Sequence, residues 1–404
     1  MRKLLLAAWF ALVAFTRAIA ADATTTPDGI LASCFDVARD GTNRIHLLYG
    51  QPGTGGALSL YHRHADARAQ GWSASVAIPT AHAPPGSHHR GNDPQLAVAG
   101  AHVMAIWTAK GGGPYGSGPI GIAFSADGGA TWDPGPVPAV ATEGEEKTGY
   151  RFPAAVAGPE GFHLIWIHAA GNERSLRHSR LSYGAKRWTT PVTIDPEICA
   201  CCWNVLKVDA NGTLWALYRD DQPRDLALAS SRDGGRTWSQ HGSVGQFNWK
   251  FVGCPHVGGG LGAMTGAAAG GGFLVASVWT GHTTAGAAYA LTSRDGGKTW
   301  PTRIHLGTDG AEGRHTDTAA LGNDRAAAVW DQISPDGATV YLRQTADGGQ
   351  TWSEPRRLSA AGTKALHPRL VPGDDCFVAF WSEPESAQKS RLKLTVFPGQ
   401  AVAR

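Results

Sequence analysis

Charge is scarce in this chain of 404 residues: only 17% of them are Asp, Glu, Lys or Arg, and the net charge is +3. So even a balance supplies no electrostatic footprint for nucleic acid or an anionic membrane. No segment reads as a long amphipathic helix, and the apolar run Leu4 to Phe15 is too short to span a bilayer. Several catalytic signatures are missing too. The glycines of Gly258 to Gly262 and Gly270 to Gly272 are not followed by Lys-Ser/Thr, so they read as a loose hairpin rather than a phosphate loop. There is no His-Glu-x-x-His helix and no Gly-x-Ser-x-Gly elbow. Phosphate-loop nucleotide hydrolysis, helix-borne zinc proteolysis and elbow-type esterase chemistry are thereby set aside.

What is abundant is turn chemistry. The chain holds 53 glycines and 24 prolines, the profile of many short strands. One phrase recurs: SADGGATW (Ser125 to Trp132), SRDGGRTW (Ser231 to Trp238), SRDGGKTW (Ser293 to Trp300) and TADGGQTW (Thr345 to Trp352). Glycine accepts positive φ, and an Asp carboxylate accepts hydrogen bonds from the amides of its own turn, so each copy predicts a hairpin with the Trp tucked beneath it. Degenerate copies end at Trp72 and Trp188, and apolar runs such as Val103 to Trp107, Ala326 to Trp330 and Phe377 to Trp381 repeat on the same period. The spacing predicts seven units of roughly 52 residues, each of four strands, which is an all-β propeller. Six blades is the alternative if the first unit is a partial cap. The last unit lacks a fourth strand, and the stretch near Asp28 to Ala32 is expected to supply it and close the ring.

The N-terminus reads differently. Arg2 and Lys3 precede the apolar run, and Ala18-Ile19-Ala20 is a small-residue cleavage pattern. Residues 1–20 are therefore expected to be a signal peptide and residues 21–404 one propeller domain, periplasmic or secreted, with no membrane span after processing. The acidic stretch Glu143 to Glu146 reads as a solvated turn, with calcium binding as the alternative.

The repeated phrase resembles the Asp-box of the sialidase (neuraminidase) superfamily and other BNR-repeat propellers. That resemblance implies that Asp127, Asp233, Asp295 and Asp347 are structural and that ligands bind at the central channel. It also implies, for a sialidase, three arginines clamping a carboxylate, a Tyr with a Glu partner, and an Asp acid/base. Tyr150-Arg151-Phe152-Pro153 is the nearest match to the family's Phe/Tyr-Arg-Ile-Pro signature, but it opens the third unit rather than the first. Arg314 and Arg369 stand near first strands of units six and seven, and Tyr218, Asp220, Glu312 and Glu383 are available as polar partners.

The cysteines stand apart from that pattern. Cys34, Cys202 and Cys254 fall at nearly the same offset, where a unit's first strand begins, so their sulfurs are expected near the channel mouth. Cys199, Cys201 and Cys202 are expected to neighbour Cys254. In an exported protein, disulfides are one reading: one of the 199–202 group with Cys254, and Cys34 with Cys376 across the ring closure. The other is thiolate ligation of a soft metal ion, copper(I) or zinc(II), because three thiols in four residues are awkward to bridge. Thiol redox chemistry is a third. Several histidines occupy comparable entry positions, among them His256, His282, His315, His367 and the pair His88-His89. The Cys-Ala-Cys-Cys with the later Cys254-Pro255 is also similar to a group of exported bacterial sialidase-like proteins. Three functions stay open: a propeller that binds a small molecule, glycan, metal ion or protein partner at its mouth; a hydrolase of acidic glycans; and a scaffold in an envelope complex.

Overall fold

The second strand of each repeat is almost wholly apolar, the pattern of a strand covered on both faces, and these strands form the middle of each sheet. A computed structural model describes residues 29–53, 58–86, 91–113, 116–138, 149–264, 272–283, 286–308, 311, 313–335, 337–386 and 389–399. The described residues form seven antiparallel sheets of four strands and no helix. Blades one to six each use four consecutive strands, beginning with β2 (Cys34–Arg39), β6 (Gln95–Ala99), β10 (Gly149–Gly158), β14 (Val205–Val208), β18 (Gly260–Met264) and β22 (Gly313–Leu321). Blade seven consists of β26 (Leu366–Pro372), β27 (Cys376–Pro384) and β28 (Ser390–Pro398), completed by β1 (Leu31–Ala32). Leu31 pairs with Arg391 and Ala32 with Ser390, so the N-terminal strand closes the ring as the sequence predicts. Seven blades hold, not six. The expected signal peptide, Glu143 to Glu146 and His88-His89 lie outside the described residues, among which no helix is long and apolar enough to cross a membrane.

First strands begin at one face, the mouth, and the Asp-box turns close the opposite, far face. Each box is wired alike. In blade two Asp127 accepts from the Thr131 amide at 2.9 Å and the Thr131 hydroxyl at 2.6 Å, while Ser125 Oγ accepts from the Gly129 amide at 2.7 Å. The second glycine of each box sits at positive φ against the preceding blade: a Cβ on Gly129 would fall 2.0 Å from His62, and one on Gly235 would fall 1.8 Å from His178. The Trp residues reach the same way, Trp132 edge-on to His62, Trp238 to His178 and the eroded Trp72 to Phe380. The repeated phrase therefore latches neighbouring blades together, as well as turning a hairpin.

Beneath two latches lie buried histidine pairs. His46 Nδ1 and His62 Nε2 are 2.9 Å apart, and His163 Nδ1 and His178 Nε2 are 3.1 Å apart. Burial holds these rings neutral, drawing the pKa to about 4 for His46 and His163 and to about 3 for His62 and His178.

The glycines of Gly258 to Gly262 lead into a hairpin, as expected, β18 pairing antiparallel with Phe273–Thr280, and they also serve the seam between blades. A Cβ on Gly260 would meet the Thr318 amide at 2.5 Å and one on Gly262 the Ala320 amide at 2.7 Å. They let the innermost strand of blade five lie directly on that of blade six.

Candidate functional site

At the mouth the first strands of blades three, six and seven are irregular. Register shifts fall between Arg151 and Ala154, Gly313 and Thr316, and Leu366 and Arg369, and Phe152 and His367 adopt φ of 49° and 58°. Bulges of this kind re-aim side chains, and strained non-glycine backbone persists only where its surroundings enforce it. Around Phe152 those surroundings are visible: its amide donates to Asn92 Oδ1 at 3.0 Å and its carbonyl accepts from Asn204 Nδ2 at 2.9 Å, tying blades two, three and four together.

Trp203 is one of two residues that sequence reasoning missed. It lies in the loop entering blade four, yet its indole packs on Gly91 at the entrance to blade two, on Gly258 at the entrance to blade five, and 6.0 Å from the His315 ring of blade six. It is buried, with 2% of its surface exposed, a plug wedged among the entrances of blades two, four, five and six at the mouth. A Cβ on Gly258 would sit 1.8 Å from the indole, so the glycine is what admits the plug. Nothing marks Trp203 among 15 tryptophans except its place directly after Cys-Cys.

Beside the plug is the sulfur cluster. Cys199 and Cys202 share a hydrogen bond at 3.5 Å, Cys199 and Cys201 lie 3.7 Å apart, and Cys201 is disulfide-bonded to Cys254 with Cα atoms 5.7 Å apart. Cys199, Cys201 and Cys202 are buried in the core shared by blades three and four, whereas Cys254 and its neighbour His256 are exposed. Three of the sulfurs are thus buried at the mouth end, and the fourth is exposed. The Cys202 thiol draws the Cys199 pKa down to about 6 against the effect of burial, with Arg224 and Arg219 helping, while burial pushes Cys202 well above the thiol range.

The bridge to Cys254 agrees with the adjacency predicted from the repeat. The expected Cys34–Cys376 bridge is absent. Cys34 opens β2 at the mouth, whereas Cys376 opens β27 at the far face, where its sulfur is 3.8 Å from the Ala67 carbonyl, and both are free thiols. Successive antiparallel strands start at opposite faces, so an offset shared by first strands does not extend to a second strand.

Across the plug from the sulfurs sits a different cluster. His315 Nδ1 is 2.8 Å from Asp331 Oδ2, the His367 amide donates to the same oxygen at 2.8 Å, and the two imidazoles pack edge to face at 4.5 Å. Although burial opposes its ionisation, His315 and the His367 amide hold Asp331 below the usual carboxylate range. A ligand atom from each of the three lies within 4.8 Å of the others. Asp331 escaped sequence reading because it ends the buried run Ala326 to Trp330.

The arginines and polar partners are placed as follows. Arg151 donates to the Ala200 carbonyl at 3.0 Å. Arg369 is half-buried facing Asp36, Asp317 and Asp93, its Nε 3.8 Å from Asp36. Arg314 is exposed at the bulge opening blade six. They stand on blades three, seven and six, and the first two are engaged with protein groups. Tyr218 is buried and donates to Asp195 at 2.8 Å. Asp220 lies nearby, its pKa raised to about 6 by burial and by Asp195, Asp221 and Glu197. Glu383 accepts from Trp381 Nε1 at 2.9 Å. Glu312 lies outside the described residues.

Residues 171–361 match the BNR repeat-like domain family. No curated protein matches the chain. Among solved structures, a PL25 ulvan lyase, described as a new family of polysaccharide lyase, is 9% identical with a TM-score of 0.60, covering 94% of this chain and 95% of its own. A protein of unknown function from Dyadobacter fermentans is 18% identical with a TM-score of 0.49, covering 80% and 98%. The Hadza microbial sialidase Hz136 is 16% identical with a TM-score of 0.45, covering 86% and 74%. At 9% identity the likeness to the ulvan lyase is one of fold alone.

Proposed function

We propose that this seven-bladed BNR-repeat propeller is a binding protein of an oxidising compartment, periplasmic or extracellular, and that its sulfur cluster takes up a soft metal ion when the Cys201–Cys254 bridge is reduced. The observation carrying this reading is the convergence of the Cys199, Cys201 and Cys202 sulfurs at 3.5 and 3.7 Å. Thiolates bound to one ion at ~2.3 Å in tetrahedral array stand about 3.8 Å apart. The cluster therefore has close to the spacing of a ligand set before any ion arrives. Arg219 and Arg224 offset thiolate charge, and the acidic Cys199 needs little help to lose its proton. Reduction adds Cys201 and the exposed Cys254, giving four sulfurs with His256 at the solvent side. All-sulfur sets favour copper(I) or zinc(II) over harder ions. The hydrolase reading draws less support, since Arg151 and Arg369 already serve the fold and buried Tyr218 is tied to Asp195.

The test is a copper(I) titration of fully reduced protein against a chromogenic copper(I) chelator, with thiols counted in parallel. One equivalent per chain is expected, weakened at least 100-fold in C199S and C202S and in protein whose bridge is re-formed. Reduced protein that leaves the chelator's copper untouched sinks the reading.

A further inference from the structure

The sulfur cluster does not use the mouth's second group of donors. We infer that His315, Asp331 and His367 form a separate site for a borderline divalent transition ion of the zinc(II) class, with at least one coordination position open to the mouth.

The donor set is two imidazoles and one carboxylate, a combination that suits zinc(II), copper(II) or nickel(II) and not the copper(I) favoured by sulfur. Three protein ligands with a vacant position is also the ligand count of catalytic rather than structural zinc sites. Geometry supports convergence. The three ligand atoms lie within 4.8 Å of one another, and His315 Nδ1 stands 2.8 Å from Asp331 Oδ2. Two ligands each ~2.1 Å from one tetrahedral ion are about 3.4 Å apart, so this pair needs to open by about 0.6 Å to exchange a shared proton for a shared ion.

The backbone has been shaped to bring the two rings together. His315 and His367 come from adjacent blades, each lies within a register shift of its strand, and His367 is held at φ 58°. Regular β geometry at these positions would not require a left-handed histidine. Asp331, from the strand beside β22, fixes both by bonding the ring of one and the amide of the other. The Trp203 indole on His315 separates the group from the sulfurs, and a cleft lined by Ser33, Cys34, Asp93 and His367 gives the open side access. The open position would hold water or a small anionic ligand.

Cobalt(II) titration of the bridged, non-reduced protein distinguishes the two sites, because nitrogen–oxygen ligation gives visible ligand-field bands without the thiolate charge-transfer band. One equivalent with ligand-field bands alone is expected. H315A and H367A should weaken binding at least 100-fold and D331N at least tenfold, while C199S leaves it unchanged. H367A keeps the test open should D331N fail to fold. No ligand-field band in the wild type, undiminished binding in both histidine variants, or a thiolate band would each overturn the inference. The copper(I) experiment on reduced protein reads the other cluster, so either can fail alone.

Discussion

Histidine serves the two faces of this propeller in opposite ways. On the far face His46 shares a hydrogen bond with His62, and His163 with His178, all four rings buried beneath the Asp-box latches, with His46 also bonded to the buried carboxylate of Asp40 at 3.2 Å. At the mouth His315 and His367 pack edge to face, a buried carboxylate holds both, and His315 keeps 18% of its side-chain surface exposed. The far-face pairs are spent on joining blades. The mouth pair is kept fixed and reachable, which is the condition for binding something. The same residue type thus reads as structure or as site according to which end of its strand it occupies.

The strongest way to break this contrast is to wedge a latch. Gly235→Ala places a methyl group 1.8 Å from His178 at a backbone φ of 85°, and is expected to cost more than about 2 kcal/mol. Thermal unfolding should show a drop of several degrees, against little change for H315A or H367A; equal effects at the two faces would refute the division. A second test uses acid. In the unfolded chain these histidines titrate near 6.5, whereas the far-face rings do so at about 4 and about 3. Between those values the unfolded state binds more protons, so stability must fall as pH falls from about 6.5. Each unit of depression is worth about 1.4 kcal/mol, and urea midpoints at pH 7 and pH 5 should differ clearly; a flat profile would count against buried neutral pairs. The smallest effect concerns the sulfur side of the mouth. Thiolate absorbance should titrate with a midpoint of about 6, disappear in C199S and move upward in C202A, where the supporting hydrogen bond is gone. A midpoint indifferent to Cys202 contradicts the assignment.

Much of the fold was legible because the Asp-box states its own geometry. Asp-Gly-Gly demands a tight turn, and its recurrence sets the blade period, so strands such as Gly313–Leu321 and Arg325–Ser334 fall where the repeat places them. The ring closure followed from a missing strand. The site was legible only in its local half: Cys254 was placed beside the earlier cysteines by repeat offset, and the bridge to Cys201 follows that adjacency. What stayed hidden depends on distances between blades. Trp203 acts through glycines of blades two and five, and Asp331 through histidines of blades six and seven. No local pattern records such meetings. The misjudged Cys34–Cys376 pair shows the converse, since both lie near the ring closure and yet face opposite ends of the wheel.

Trp203 decides how the blades are held together at the mouth. A wheel whose blades touch only their neighbours can loosen one seam at a time. With the indole wedged against Gly91, Gly258 and His315, the loop entering blade four becomes a strut bearing on blades two, five and six. The rim at that end then shifts as one piece, whereas the far face is fastened seam by seam.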